Sequence, residues 1–315
     1  LAGPLMQPLV VEDLGDSWGI HCWNYRNVIG QFSAEPDSVK IIEQGPVRTI
    51  QQSIHRHDHS KITINLISYA EWPILQYRLI IQWNEIRKRL KLSIPTVFKE
   101  SVPRCETPGG YCSYPSDGEE YVHGRWLILG NSIAKNSSGL AVIGNGQHGF
   151  DCLAGEIRLS VLRSAAYCHE KGQKLTHYPE RKFMDQGIHE IQLLIVPGNY
   201  QELCKTAAGL ADWLNTPPAV YSHLPFGKPN KQQLDFIEWN ASNIRILALK
   251  RAESEDVMIL RLQETSGEAT DCRISLPHPN MTINIQFKPL EIRTLKIRKN
   301  GSWQEVDPIF EKPVS

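Results

Sequence analysis

The sequence contains no apolar run approaching the ~20 residues that a helix needs to cross a bilayer. Its apolar stretches are short and interrupted, as in Ile62-Thr63-Ile64-Asn65-Leu66-Ile67. It has no surplus of charge of either sign: 34 Lys and Arg balance 34 Asp and Glu, so no general field attracts nucleic acid or an anionic membrane. Neither partner is expected. Paired cysteines are also missing. Cys22, Cys105, Cys112, Cys152, Cys168, Cys204 and Cys272 form no C-x-x-C, and an odd number cannot all pair with one another. Reduced thiols and a cytoplasmic location are expected. Leu1 to Val11 lacks the basic and long apolar regions of a signal peptide, so a processed or excised start is expected. Four N-x-S/T sequons (Asn136, Asn240, Asn280, Asn300) are no more than chance supplies. G-x-S-x-G, H-E-x-x-H and P-loop signatures do not occur, and His169-Glu170 and His189-Glu190 lack the second His four residues on.

Strand signals dominate what is present. Ile74 to Trp83 is apolar and β-rich, and Asn84-Glu85 reads as the turn of a hairpin leading into Arg87 to Ile94. That second segment alternates strictly. Leu90, Leu92 and Ile94 share one face and Arg89, Lys91 and Ser93 the other, which predicts a half-solvated antiparallel sheet. Trp126 to Leu129, Gly139 to Ile143, Glu156 to Leu162 and His189 to Val196 read the same way. From Gln201 to Leu214, apolar Leu203, Ala207, Leu210 and Leu214 form a helical stripe, with Asn199 as cap and Thr216-Pro217-Pro218 as stop. Residues 217–233 read as a linker. Five further strands follow between Ile244 and Ile297. The fold class is therefore all-β: a large antiparallel domain over residues 1–225 and a small β-sandwich over 226–315.

Several motifs tempt a functional reading. Gly144-Asn145-Gly146-Gln147-His148-Gly149 spells G-x-G-x-x-G, but the residues after it alternate like a strand, and a dinucleotide site needs a helix there. The glycines fit a β-connection needing positive φ. His55, His57 and His59 would share one face of a strand about 7 Å apart, too splayed for one tetrahedral zinc without a bend. Asp117, Glu119 and Glu120 lie in a Pro/Gly-rich stretch read as a loop, where neighbouring carboxylates point to solvent rather than facing each other across a sugar. Gly109-Gly110-Tyr111 and Leu162-Arg163-Ser164 combine ring or cation with a turn, as sugar-holding loops do.

Taken in order, a series of phrases resembles glycoside hydrolase family 38. Val11-Glu12-Asp13-Leu14-Gly15-Asp16-Ser17-Trp18-Gly19 is similar to that family's acidic D-T-W-x-H-G segment, with Ile20 a departure. Trp83-Asn84-Glu85 with Leu90-Lys91-Leu92 and Pro95 resembles its W-x-E hairpin, although Ser93-Ile94 replaces the usual aromatic. Glu106 to Tyr111, Asp117 to Glu120, Arg125-Trp126, Gly139 to Ile143, Leu159 to Ser164 and Asp185 to His189 follow in the same order. Leu249 to Glu253, Ile259 to Leu262 and Pro289 to Leu295 resemble its closing sandwich.

The resemblance implies a galactose-mutarotase-like supersandwich followed by the small sandwich. It also implies descent from a retaining, zinc-dependent α-mannosidase whose zinc ligands and nucleophilic Asp lie on an upstream barrel and helical bundle. No catalytic residue and no metal ligand then fall in this chain. Tyr111 and, less directly, Arg163 match positions that touch an α-mannoside substrate from the β domain. The expected role is to complete an upstream cleft, with contacts between copies in a homo-oligomer as a further one. The alternatives are a free-standing carbohydrate-binding module and a mutarotase-like protein. The latter needs a His (His123, His148 or His189) converging with a Glu.

Overall fold

The computed structural model describes residues 1–15, 17–19, 22–131, 137–166, 183–221, 235–253, 255–278, 280–309 and 312. Asn136, Cys168, His169-Glu170, residues 222–233 of the expected linker, and Asp16 and Ile20 of the acidic segment lie outside the described residues. Among the described residues there is one helix, and the rest of the regular structure is antiparallel strand. The chain forms two compact units, Leu1–Leu203 and Cys204–Ser315.

The first unit is two antiparallel sheets with a shared core. The six-stranded sheet runs in the order Asp117–Val122, Gly149–Leu153, Glu156–Arg163, Lys88–Pro95, Gln7–Glu12, Val28–Gln31. The larger sheet centres on Ser138–Gly144, Gly187–Asn199, Leu75–Trp83, Ser60–Tyr69 and Arg48–His57. Alternate residues of each sheet point inward and meet, among them Val10, Leu90, Leu92, Phe150 and Leu159 against Ile62, Leu79, Ile81, Leu127 and Leu193. Each of these is at most 1% exposed, so the apolar alternation does encode the buried face.

Three local expectations fail. Leu75–Trp83 and Lys88–Pro95 do not form a hairpin; they belong to different sheets, and Asn84–Arg87 carries the chain across. Period two reports a strand's faces, not its partner. Asp117–Glu120 is not a loop but the start of an edge strand of the six-stranded sheet. The strand Arg48–His57 ends before His59, so the three histidines do not continue along one strand. The stretch Gly144–Gly149 is a connection between strands as expected, here one that joins the two sheets, yet only Gly146 within it has a positive φ (145°). Gly149 is needed for space instead, since a Cβ there would stand 2.8 Å from Glu120 Oε1.

The helix Tyr200–Asn215 starts where the cap was expected: Asn199 Oδ1 accepts from the N–H groups of Gln201 (3.0 Å) and Glu202 (3.2 Å). Its buried stripe includes Leu203, Ala207, Ala211 and Leu214, so Ala211 rather than Leu210 belongs to it.

The second unit is a small sandwich. Glu238–Trp239, Thr270–Leu276 and Met281–Phe287 form one sheet, and Ile244–Arg251, Met258–Glu264, Ile292–Ile297 and Trp303–Glu305 the other. Leu260, Leu262, Ile274, Ile283, Phe287 and Leu295 fill the space between them. Glu264 is fully buried and accepts from Asn243 Nδ2, Ser266, Gly267 N–H and Leu290 N–H. Burial alone would raise its pKa; these donors outweigh that and lower it. The Pro289-Leu290-Glu291 phrase is thus a turn built on a buried carboxylate.

Candidate functional site

The phrases scattered along the sequence converge where Asn84–Arg87 crosses between the sheets of the first unit. Trp83 Nε1 donates to Ser164 Oγ, Arg87 N–H to the Ser164 carbonyl at 2.9 Å, and Asp13 N–H to the Arg87 carbonyl at 3.0 Å. Gln186 Nε2 donates to the Glu85 carbonyl at 3.2 Å. Glu85 itself is buried and accepts from Ser60 Oγ (2.9 Å) and Lys88 Nζ (2.6 Å).

From this crossing a charged face spreads over the outer side of the six-stranded sheet. Arg89, Lys91 and Ser93 share it, as alternation requires, but they are not solvated. Their exposures are 6%, 0% and 5%. This corrects the expectation of a half-solvated sheet. The Lys91 ammonium lies between the carboxylates of Asp151 and Glu120, and Arg89 Nη1 reaches Glu120 at 2.7 Å. Arg26, from the loop that follows the first strand, pairs with Asp151 and Glu156, while Ser93 Oγ donates to Glu156 at 2.6 Å. The loop covers the face, with Trp23 carbonyl accepting from Glu120 N–H at 2.8 Å and Tyr25 5% exposed under the Arg89 guanidinium at 3.5 Å. Burial raises Asp151 above the usual carboxylate range despite Lys91 and Arg26. Burial also lifts the Tyr25 phenol, aided by Cys22, so it presents a neutral ring to the guanidinium.

Arg163 closes the strand Glu156–Arg163 beside this face. Its Nε and Nη2 grip the two oxygens of fully buried Asp13 at 2.5 and 3.0 Å, and Nη1 donates to the Ser17 carbonyl at 3.2 Å. Asp13 also accepts from Gly15 N–H at 3.3 Å. Gly19 takes φ 62°, and a Cβ there would stand 3.1 Å from the Tyr25 hydroxyl. The acidic segment is thus a turn wrapped on one bidentate Asp–Arg pair. Trp18 within it and Trp23 in the loop beyond are 70% and 66% exposed. A pocket of about 240 Å³ lies alongside, with Arg89, Glu120, His148, Ser160, Arg163 and Asp185 in its wall.

Tyr111 lies elsewhere, on the edge hairpin Arg104–Thr107/Gly110–Ser113 of the larger sheet, with the Arg104 guanidinium 3.4 Å above its ring. The two sugar-contact candidates therefore sit on different sheets. Of the mutarotase histidines, His123 is 3% exposed, and burial pushes its pKa down to about 4. His148 Nδ1 faces the Gly124 carbonyl (3.1 Å), and His189 Nε2 faces the Asp185 carbonyl (2.7 Å). Glu120 shares the pocket with His148, but Arg89, Lys91 and Ser160 already engage it, so it is not the free Glu that proton transfer needs.

His57, Asp58 and Glu85 bring donor atoms within 4.8 Å of one another. Lys88 Nζ already bridges the carboxylates, 2.9 Å from Asp58 and 2.6 Å from Glu85, so this group does not fit a zinc centre. His55 is not part of it; its Nε2 lies 2.9 Å from Ser53 Oγ. No disulfide joins the six described cysteines. No described helix is long and apolar enough to cross a membrane.

Two stacked antiparallel sheets followed by a small sandwich define an all-β protein of the supersandwich kind. The C-terminal domain of the family 38 glycosyl hydrolases matches residues 8–171, and the family's C-terminal β-sandwich domain matches residues 243–283. The chain belongs to glycoside hydrolase family 38, as its C-terminal part. It is similar to alpha-mannosidase G of Dictyostelium discoideum, with 24% identity over 298 residues, covering 83% of this chain and 26% of that protein. Two crystal structures from Enterococcus faecalis share the fold. A family 38 glycosyl hydrolase (TM-score 0.75, 15% identity) matches over 93% of this chain and 40% of its own, and an alpha-mannosidase (0.74, 14%) over 93% and 38%. The chain therefore spans about a quarter of the curated relative and about two-fifths of the solved structures.

Proposed function

We propose that this chain is the C-terminal part of a retaining, zinc-dependent α-mannosidase and completes the sugar cleft of an upstream catalytic domain. What supports this most is Arg163: a guanidinium fixed on buried Asp13, in a pocket wall, bonded to the Ser17 carbonyl next to exposed Trp18. A group positioned that rigidly suits hydrogen bonding to sugar hydroxyls or to a partner carboxylate, and exposed rings suit stacking on a sugar or a neighbouring domain. Zinc, when bound, would polarise and orient the substrate from the upstream domain. The residues of this chain would bind and exclude water, with Tyr111 as a second sugar contact. In this reading the chain alone neither holds zinc nor cleaves a mannoside, works in the cytoplasm, and carries contacts between copies.

Arg163→Lys in the full-length enzyme tests it, because a point charge cannot reproduce the bidentate fork. With a chromogenic α-mannoside, KM is expected to rise about tenfold, the loss of one charge-assisted hydrogen bond. An unchanged KM and kcat in a folded variant would remove Arg163 from the cleft. Turnover or stoichiometric zinc in the isolated chain would overturn the supporting role itself.

A further inference from the structure

The first unit holds a second, larger pocket of about 450 Å³, at the edge where its two sheets part. That is within the roughly 300–1,000 Å³ typical of small-molecule sites. One wall is the start of the strand Gln7–Glu12 with Gln31 and Phe32; the other is the inner side of the larger sheet, where Gln51 pairs with Leu66, Ser53 with Ile64, and Leu66 with Tyr77.

Three observations set its chemistry. First, no Lys, Arg, Asp or Glu lines it, in a chain where 22% of residues are charged. His55 adds no charge at neutral pH, since burial pushes its pKa down. Second, Gln51, Ser53 and His55 are alternate residues of one strand, on the side where neighbouring strands present Ile62, Ile64 and Tyr77 to the core. Gln51 is exposed at the mouth, while Ser53 and His55 are half-buried and lie 2.9 Å from each other, Oγ to Nε2. Third, Tyr77 is 6% exposed and burial lifts its phenol to about 12, so it presents an un-ionised hydroxyl to the pocket. A neutral lining excludes phosphorylated or carboxylated ligands, and the density of amides and hydroxyls disfavours a purely apolar one. Carboxamides that both donate and accept match neighbouring hydroxyls, which do the same.

We propose that this pocket is a binding site for a neutral pyranose sugar, held by the Gln31 and Gln51 carboxamides and the Ser53 and Tyr77 hydroxyls against the apolar wall of Phe32, Ile64 and Leu66. It shares no lining residue with the Arg163 pocket, and it stands whether or not the mannosidase reading holds. Its task is to hold a sugar, not to transform one: no carboxylate faces the cavity to move a proton.

Saturation-transfer NMR and calorimetry on the protein with methyl α-D-mannopyranoside and methyl β-D-glucopyranoside test the site, with D-glucuronate and cyclohexanol as charged and apolar comparators. The expected result is saturable binding of at least one glycoside, with both comparators at least tenfold weaker. Gln51→Leu and Tyr77→Phe should each weaken it roughly three- to tenfold, the loss of one hydrogen bond. Gln51 is exposed and Tyr77→Phe conserves volume, so both variants keep the fold, as their melting temperatures will show. Absence of saturable binding by both glycosides overturns the proposal. So does binding that survives both variants or prefers a comparator.

Discussion

Replacing Lys91 with methionine keeps most of the side chain's volume and deletes its charge. The ammonium is fully buried between Asp151, itself fully buried, and Glu120. Without it, Asp151 keeps only its pairing with Arg26, and the covered face gains an uncompensated negative charge. Removing one partner of a buried ion pair costs roughly 3–5 kcal/mol, because the charge left behind cannot be hydrated. Urea unfolding followed through Trp83 and Trp126, both buried in the first unit, should show that loss as a lower midpoint with unchanged slope. Adding Asp151→Asn removes the stranded charge and should recover half of the loss or more. A Lys91→Met protein within about 1 kcal/mol of the parent would refute the reasoning, since that is the value of a solvent-exposed pair. The charged face would then be hydrated rather than covered by residues 22–27.

Two other perturbations address different parts of the chain. His123 has a folded pKa of about 4, below the ordinary 6.5, so the unfolded chain takes up its proton first as pH falls. Its contribution is complete above pH 6.5 and is lost between there and pH 4, about 3 kcal/mol in all. His123→Phe should flatten that part of the stability profile, and equal acid sensitivity in parent and variant would exclude His123 as its source. In the second unit, Glu264→Gln offers one acceptor oxygen and an NH₂ group where the native carboxylate meets only donors. Calorimetry should show that unit's transition losing roughly 3 kcal/mol. An unchanged transition would mean the turns at Ser266 and Leu290 hold without it.

Strand existence was legible because period-two alternation is a local property. Leu90, Leu92 and Ile94 are fully buried, and the Asn199 cap forms as its side chain requires. The sheet each strand joins was not legible: Trp83-Asn84-Glu85 reads as a hairpin turn and is a crossing between sheets. Asp117–Val122 escaped notice because its Pro/Gly surroundings mimic a loop, while its pairing to Gly149–Leu153 is long-range. The Gln51-x-Ser53-x-His55 pattern was visible as letters, but only the neighbouring strands show that it lines a pocket.

The sequence by itself determined the all-β class, the single described helix, the core faces and, through the order of its phrases, the family. Each of these rests on local periodicity or on the succession of residues along the chain. Tertiary structure alone decided that Arg89, Lys91 and Ser93 are buried, that Glu120 and Asp151 compensate them, and that Asp13 and Arg163 meet across 150 positions. A polar face looks the same in sequence whether water or another charged segment covers it. What distinguishes the two is the loop folded over it, and that depends on contacts between residues far apart in the chain.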